Sequence, residues 1–404
     1  MKTVNTEVHR VALGGRNKMN ARTKFWKPFW KWSAVLVLLG FSGWLLRPRP
    51  APQPVKVELL PFSDSPPAWD GSYPYLVISR VGSMPPKFSA AFSLLKPTLH
   101  HDLPVDEFVV DLHTGRFILR QTDLFIADVM PLSLTRTYIA WDYHSRAFGV
   151  GANHPYDICP TGTRRPYTCM DLNLEDFYQV HMPRISKGTG YADAVFRHSE
   201  TSSEFYGAQV AWNGNGWTMT FRDGRKIYFP EAYNAKTYAQ GAATEMDDAV
   251  GHRIQLKRSP VRNLEELISP GGHKIAFQYD SSDRIVKAED DVGNVRRYSY
   301  DEHGHVESVS DGTRVFYRFE YAPLMNGRGY DPYLLMRILD GSWNVLVQMR
   351  YQWGRVIEQK LADGQTFHFE YVLNGADVLR CTVTLPTGEK RMFSFRDGRL
   401  VNQK

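Results

Sequence analysis

The feature that most constrains this chain is a spacing. In residues 278–304, QYDSSDRIVKAEDDVGNVRRYSYDEHG, the dipeptide Tyr-Asp occurs twice, 21 residues apart, each copy just before a polar break. Between the breaks apolar and polar residues alternate, as in Phe277-Gln-Tyr279, Arg284-Ile-Val-Lys-Ala288, Arg297-Tyr-Ser-Tyr300 and His305-Val-Glu-Ser-Val309. A period of two marks a strand with one face against a core. The breaks Ser281-Ser-Asp283, Asp290-Asp-Val-Gly293-Asn294, Glu302-His-Gly304 and Asp311-Gly312 hold residues that accept the positive φ of hairpin turns. Asp-Gly recurs at 223, 311, 340, 363 and 397, and Phe-Arg-Asp-Gly-Arg stands at both 221–225 and 395–399. Each period of about 20 residues is thus one antiparallel strand pair. Within it Tyr279 and Tyr300 fill one face of the ribbon, Asp280, Asp301 and Asp311 close the turns, and Gly293, Gly304 and Gly312 take the left-handed positions.

Composition agrees with many short strands. Aromatic residues make up 13% of the 404, and 31 Gly and 24 Pro punctuate them; aromatic side chains suit a pleated, half-buried surface. Gln278-Tyr279-Asp280 through Arg284-Ile285, Gly293-Asn294, Tyr298-Ser-Tyr300-Asp301 and Gly304-His305-Val306 resemble the YD repeat of the Rhs family. Upstream, Val110-Asp-Leu-His-Thr114-Gly115, Thr122-Asp123-Leu124, Pro131-Leu132 and Thr135-Arg136-Thr-Tyr138 are similar to the segment that leads into such repeats. Phe148-Gly-Val-Gly151-Ala-Asn-His154-Pro-Tyr156-Asp157 is similar to the family's Gly-x-Gly-Trp motif, with Ala152 in place of Trp.

The resemblance covers about residues 105–404. It implies antiparallel hairpins wound into an open sheet or partial shell. Large relatives enclose a toxin or effector and close on an Asp-Pro-x-Gly motif. Here Tyr330-Asp331-Pro332-Tyr333-Leu334 has no Gly, and repeats continue past it. With about seven to nine hairpins and five residues after Arg399, we expect neither an enclosed protein nor an effector domain.

The charge must be divided before it is used. Residues 1–49 hold ten Lys or Arg and one acid, Glu7; taking this +9 from the chain's +6 leaves −3 for the body. A body without net positive charge offers no phosphate-binding footprint, so no nucleic-acid partner is expected. From Trp32 to Leu46 run 15 uncharged, mostly apolar residues, about 22 Å as a helix. A bilayer core of about 30 Å requires Phe29, Trp30 and a snorkelling Lys31 to extend it. Trp26, Trp30, Trp32 and Trp44 sit where aromatic belts form. Six Lys or Arg lie in the 20 residues before Trp32 and three in the 15 after Leu46, which holds the N-terminus in the cytoplasm. A cleaved signal peptide is the rival, but Arg47-Pro48-Arg49-Pro50 occupies the place of small cleavage-site residues. Seven prolines in residues 47–67 make a semi-extended spacer.

The expected organisation is a basic cytoplasmic tail (1–31), a transmembrane signal anchor (32–46) and a Pro-rich linker with an irregular segment (47–104). A β-rich lead-in region (105–235) and the YD-repeat β-sheet (236–404) follow. The body is expected in the periplasm, on a single pass through a bacterial inner membrane.

Chemistry is sparse. Cys159 and Cys169 bracket a turn-rich insert whose ends can meet in a disulfide. Two free thiols suit the sequence equally, and a metal there would need further ligands. Cys381 reads as a small buried apolar residue. His100-His101-Asp102 reads as a solvated loop. His303-x-His305-x-Glu307 sets three donors at strand spacing, but His303 falls in a turn. Asp247-Asp248 and Asp290-Asp291 read as turn acids rather than calcium ligands. No catalytic residue, cofactor or metal is expected.

The leading expectation is a non-enzymatic, membrane-anchored binding or scaffold module of the envelope, with a glycan or envelope protein as ligand. The alternatives are an accessory or shortened relative of toxin shells in secretion or competition, and an enzyme acting on envelope polysaccharide. Free sheet edges also invite self-association. The topology is open to direct test: alkaline phosphatase fused after Lys404 should be active and a fused cytoplasmic fluorescent protein dark. The reverse pair of outcomes would invert the orientation.

Overall fold

A computed structural model of the protein describes residues 75–80, 107–175, 179–200, 203–232, 235–323, 333–396 and 399–403. The anchor at 32–46, the proline spacer, His100-His101-Asp102, Tyr330-Asp331-Pro332 and Asp397-Gly398 lie outside the described residues. Among the described residues every regular element is a strand or a short 3-10 turn, and every strand pairing is antiparallel. No helix among them is long and apolar enough to cross a membrane.

Nineteen strands form one sheet in chain order, from Val195–Arg197 to Arg399–Gln403. The sheet therefore begins upstream of residue 236, where the repeat spacing first becomes readable. Ahead of it, a five-stranded sheet runs in the order Tyr75–Arg80, Glu107–Asp111, Phe117–Ile126, Leu132–Ile139, Ala152–Asn153. A three-stranded sheet, Cys159–Gly162, Cys169–Asn173 and Gln179–Pro183, connects the two.

The repeat is explained by its turns. Asp301 Oδ1 accepts the amides of His303 (3.0 Å) and His305 (2.8 Å). Asp280 does the same for Ser282 and Arg284, Asp290 for Val292 and Asn294, and Asp340 for Ser342 and Asn344. The third residue after each Asp then has positive φ: Gly304 at 88°, Gly293 at 92°, but also Asp283 at 59° and Trp343 at 69°. One carboxylate thus organises a hairpin loop of fixed twist, with glycine preferred at the left-handed position. Asp311 caps a shorter loop through Thr313 and Arg314, with Gly312 at φ 99°.

Four strand tyrosines, among them the two that stand directly before a turn Asp (Tyr279 and Tyr300), do a second job. The Tyr300 hydroxyl donates to the Ile285 carbonyl (2.6 Å), Tyr279 to Leu264 (2.8 Å), Tyr351 to Leu335 (2.8 Å) and Tyr371 to Val356 (2.8 Å). Each acceptor lies 15 or 16 residues upstream, so each of these four tyrosines ties its hairpin to the strand before it. Burial pushes the Tyr300 hydroxyl well above its ordinary range, so it stays a neutral donor.

The five-stranded sheet is held against one face of the long sheet. Phe117–Ile126 is buried at eight of ten positions, on both faces, as a strand must be when layers cover both sides. Its neighbourhood reaches widely separated repeats. The Gly271 amide donates to Asp128 (2.8 Å), Val150 to the Gly304 carbonyl (2.9 Å), Val356 to the Gly115 carbonyl (2.9 Å), and the His113 ring meets Phe395 at 5.4 Å. The eleven strands from Lys274–Tyr279 to Lys390–Arg396, laid flat, would span roughly 48 Å at about 4.8 Å each, whereas a ten-residue strand reaches about 33 Å. The long sheet must curve over the lead-in segment for both to touch.

A polar joint sits in this apolar contact. Arg136 is 1% exposed; its Nε donates to Asp123 (3.2 Å) and its Nη2 to Gln121 (2.6 Å), and its guanidinium lies 4.9 Å from the Phe319 ring centroid. The Tyr298 hydroxyl donates to the same Asp123 (3.0 Å).

Two outcomes follow for stability. Tyr300→Phe removes the hydrogen bond to the carbonyl of buried Ile285 and should cost about 1 kcal/mol or slightly more. Tyr300→Ala should cost about 3 kcal/mol, by analogy with Phe-to-Ala truncation. Denaturant midpoints read both, and equal midpoints for the two variants would contradict the tether.

The second outcome concerns His154, fully buried among Phe148, Tyr156 and Phe277, whose pKa is held below its ordinary 6.5 by burial. Below pH 6.5 the unfolded chain binds a proton that the folded chain refuses, so stability falls with pH. Buried His198 and His305 act in the same direction; exposed His273, raised by Asp291, opposes them. Thermal midpoints at pH 7.5 and 5.5 should differ less for His154→Phe than for the parent.

Candidate functional site

A cavity of about 550 Å³ opens beside the three-stranded sheet. Its walls are Tyr167, Tyr191, Trp212 and Trp217, with Arg165 and Glu231 among the lining residues. Two strands supply the indoles. Val210 and Met219 face the core in Gln209–Trp212 and Gly216–Thr220, and Trp212 stands opposite Trp217 in that hairpin. Asn213 Oδ1 accepts the amides of Asn215 (3.0 Å) and Gly216 (2.9 Å) and so closes the loop between them. The indole centroids lie 5.3 Å apart, edge to face at 75°. Trp217 also leans on buried Phe196 at 5.8 Å, which fixes the floor of the cavity.

Two loops bring the tyrosines. Tyr191 meets Trp212 edge to face at 5.1 Å, and Tyr167 stands 6.2 Å from both Tyr191 and Trp217. Arg184 clamps these loops from behind. Its Nη1 donates to the carbonyls of Tyr167 (3.2 Å) and Gly190 (2.7 Å), its Nη2 to that of Lys187 (3.1 Å), and Asp193 holds the guanidinium at 3.0 Å. The Tyr167 amide donates to the Thr189 carbonyl (3.2 Å). Four rings are therefore preset, while Tyr191 remains 49% exposed and available to a ligand. Mostly apolar walls with a few polar groups are what a small-ligand site requires.

The residues singled out from sequence lie elsewhere. Tyr279, Asp280, Gly293, Tyr300, Asp301, Gly304, Asp311 and Gly312 belong to the turns and tethers described above. A Cβ on Gly149 would stand 2.1 Å from the Gly304 carbonyl oxygen, so the lead-in segment docks on this turn by backbone approach. His305 stacks on Tyr321 at 4.5 Å and bonds Asp301 through Nδ1 (3.2 Å), while Glu307 accepts from Ser299 (3.2 Å). His303 and His305 line a smaller cavity of about 130 Å³ with Tyr138, Trp141 and Asp142. Asp247 is engaged by Arg253 and Tyr228, Asp248 by its own turn, Asp290 by Asn294 and Asp291 by His273. These carboxylates already have donors at hydrogen-bond distance.

The disulfide expectation is corrected. Cys159 pairs with Asn173 across the hairpin, which puts Cys169 four residues further along the partner strand. That is roughly 13 Å at about 3.3 Å per residue, beyond the 4.4–6.8 Å between Cα atoms that a disulfide spans. Both thiols are free. Burial pushes Cys159 up to about 12 and raises Cys381 further. Among the described residues, one group of metal-type donors converges, Cys169 with Asp171 and His181.

Residues 109–170 match a family model described as a domain of unknown function, DUF6531. No curated protein matches. Among solved structures the chain is similar to the crystal structure of TcdB2-TccC3-Cdc42, at 12% identity and a TM-score of 0.29, covering 73% of this chain and 15% of that one. It is similar to TcdB2-TccC3-TEV at 10% identity and a TM-score of 0.29, covering 76% and 17%. A porin-like protein from Bacteroides uniformis aligns at 11% identity and a TM-score of 0.15, covering 72% and 93%. The chain thus spans less than a fifth of the first two.

The clamp can be tested by itself. Arg184→Met should leave the fold intact yet free the tyrosine loops, so acrylamide should quench indole fluorescence more strongly than in the parent. Unchanged quenching would show that Arg184 does not hold the cavity together.

Proposed function

We propose that this chain is a non-enzymatic, envelope-tethered binding module whose ligand is a glycan seated in the aromatic cavity. The observation that supports this most is the set of four preset rings with a guanidinium and a carboxylate among the lining residues. A pyranose presents apolar C–H faces that pack on aromatic rings and hydroxyls around its edge that bond to such charged groups. Anchoring at 32–46 would hold the cavity in the periplasm, where envelope glycans lie. The toxin-shell alternative rests on the repeat resemblance, and a toxin co-purifying with the chain would favour it.

Titration with fragments of bacterial envelope polysaccharides, read by indole fluorescence, tests the proposal. At least one glycan should bind without being cleaved. Trp212→Ala and Tyr191→Ala should each weaken it at least about tenfold, or 1.4 kcal/mol, with thermal midpoints near the parent's. Equal affinity in Trp212→Ala would move the site elsewhere, and new reducing ends would replace the binding module with an enzyme.

A further inference from the structure

We propose that Cys169, Asp171 and His181 form a site for a zinc-type divalent ion, independent of the glycan reading. Cys169 and Asp171 lie two residues apart on the strand Cys169–Asn173, so both side chains leave the same face. His181 stands directly opposite Asp171 on the strand Gln179–Pro183. One donor atom from each of the three falls within 4.8 Å of the others. His181 Nδ1 is 2.7 Å from Asp171 Oδ1, so two of the donors are already oriented on one another.

The platform beneath is firm. Met170, Leu172, Val180 and Met182 point to the other face of the same two strands and are buried. Behind them the His198 ring is 2.8 Å from the His181 carbonyl oxygen. The three donors themselves are partly or fully exposed, so an ion can reach them from solvent. Cys159 and Cys381, by contrast, are buried thiols.

The donor set selects the ion. A thiolate with an imidazole suits zinc and its neighbours, whereas calcium and magnesium take oxygen ligands. The longest separations, up to 4.8 Å, must contract by about 1 Å, and the His181–Asp171 hydrogen bond at 2.7 Å must open, for all three to surround zinc at its usual bond lengths of about 2.0–2.3 Å. Side-chain rotation on an exposed face can supply that. Binding replaces the Cys169 S–H bond with a sulfur–metal bond and releases the proton to solvent, so affinity should rise with pH. Three protein ligands leave a further coordination position to water or an incoming ligand atom. An ion pair between His181 and Asp171 alone would give no part to the thiol, which is where the test bears.

The full chain, purified with chelator and reductant, should take up one Co²⁺ per molecule and develop a thiolate-to-cobalt charge-transfer band that one equivalent of Zn²⁺ abolishes. Cys169→Ser should remove the band, and Asp171→Asn and His181→Gln should each weaken metal binding at least about tenfold. A band that persists in Cys169→Ser, or no band at a stoichiometric dose, overturns the site. A second measurement needs no variant. Iodoacetamide labelling of Cys169, followed by mass spectrometry, should slow at least about tenfold with Zn²⁺ present. Equal labelling rates with and without zinc would also overturn it.

Discussion

The structure depends on a covering constraint: an antiparallel sheet with one apolar face needs another layer over that face. Val309, Phe319, Ile338, Val347, Phe369 and Phe393 point to one side of successive hairpins and are nearly inaccessible. The lead-in strands lie across them, with Leu112, Phe117, Leu132 and Leu134 in the same core. A single hairpin is marginal in water; many in series become stable when each shares this core and its neighbours' ladders. The Arg136–Asp123–Tyr298 joint adds position more than net energy. A buried ion pair roughly balances its desolvation, whereas removing one partner leaves a costly charge.

Much of the sheet was legible because its turns are written in the sequence. Asp290-x-x-Gly293 and Asp301-x-x-Gly304 carry both the capping carboxylate and the left-handed residue, and the strands between alternate with period two. Asp283, Arg262 and Trp343 show where the code fades: each takes positive φ without being glycine. Around them the surrounding ladder holds the loop in a shape that the local sequence does not prefer. The lead-in strands were harder to read because Phe117–Ile126 is buried on both faces and shows no alternation.

The candidate sites were not legible, for a reason of distance. Tyr167 and Trp217 are 50 residues apart in sequence, and the clamp that unites their loops, Arg184, looks like any other arginine. The aromatic density of 206–217 was a usable signal, although it fits a core as well as a pocket. For the ion site the alternation Cys169-x-Asp171 was visible, but His181 arrives only when the next strand pairs in register. The same pairing separates Cys159 from Cys169, so the register that removes the disulfide also assembles the metal-type donors.

The central claim is that the repeat sheet folds only with its lead-in segment. Residues 107–404 and 195–404, each produced alone, provide the direct measurement through cooperative thermal unfolding and dye binding to exposed apolar surface. The longer piece should unfold in one sharp transition with little dye bound. The shorter should bind dye strongly and show no cooperative transition until residues 107–194 are added in trans. A shorter piece that unfolds as sharply, and at the same midpoint, as the longer one would contradict the claim.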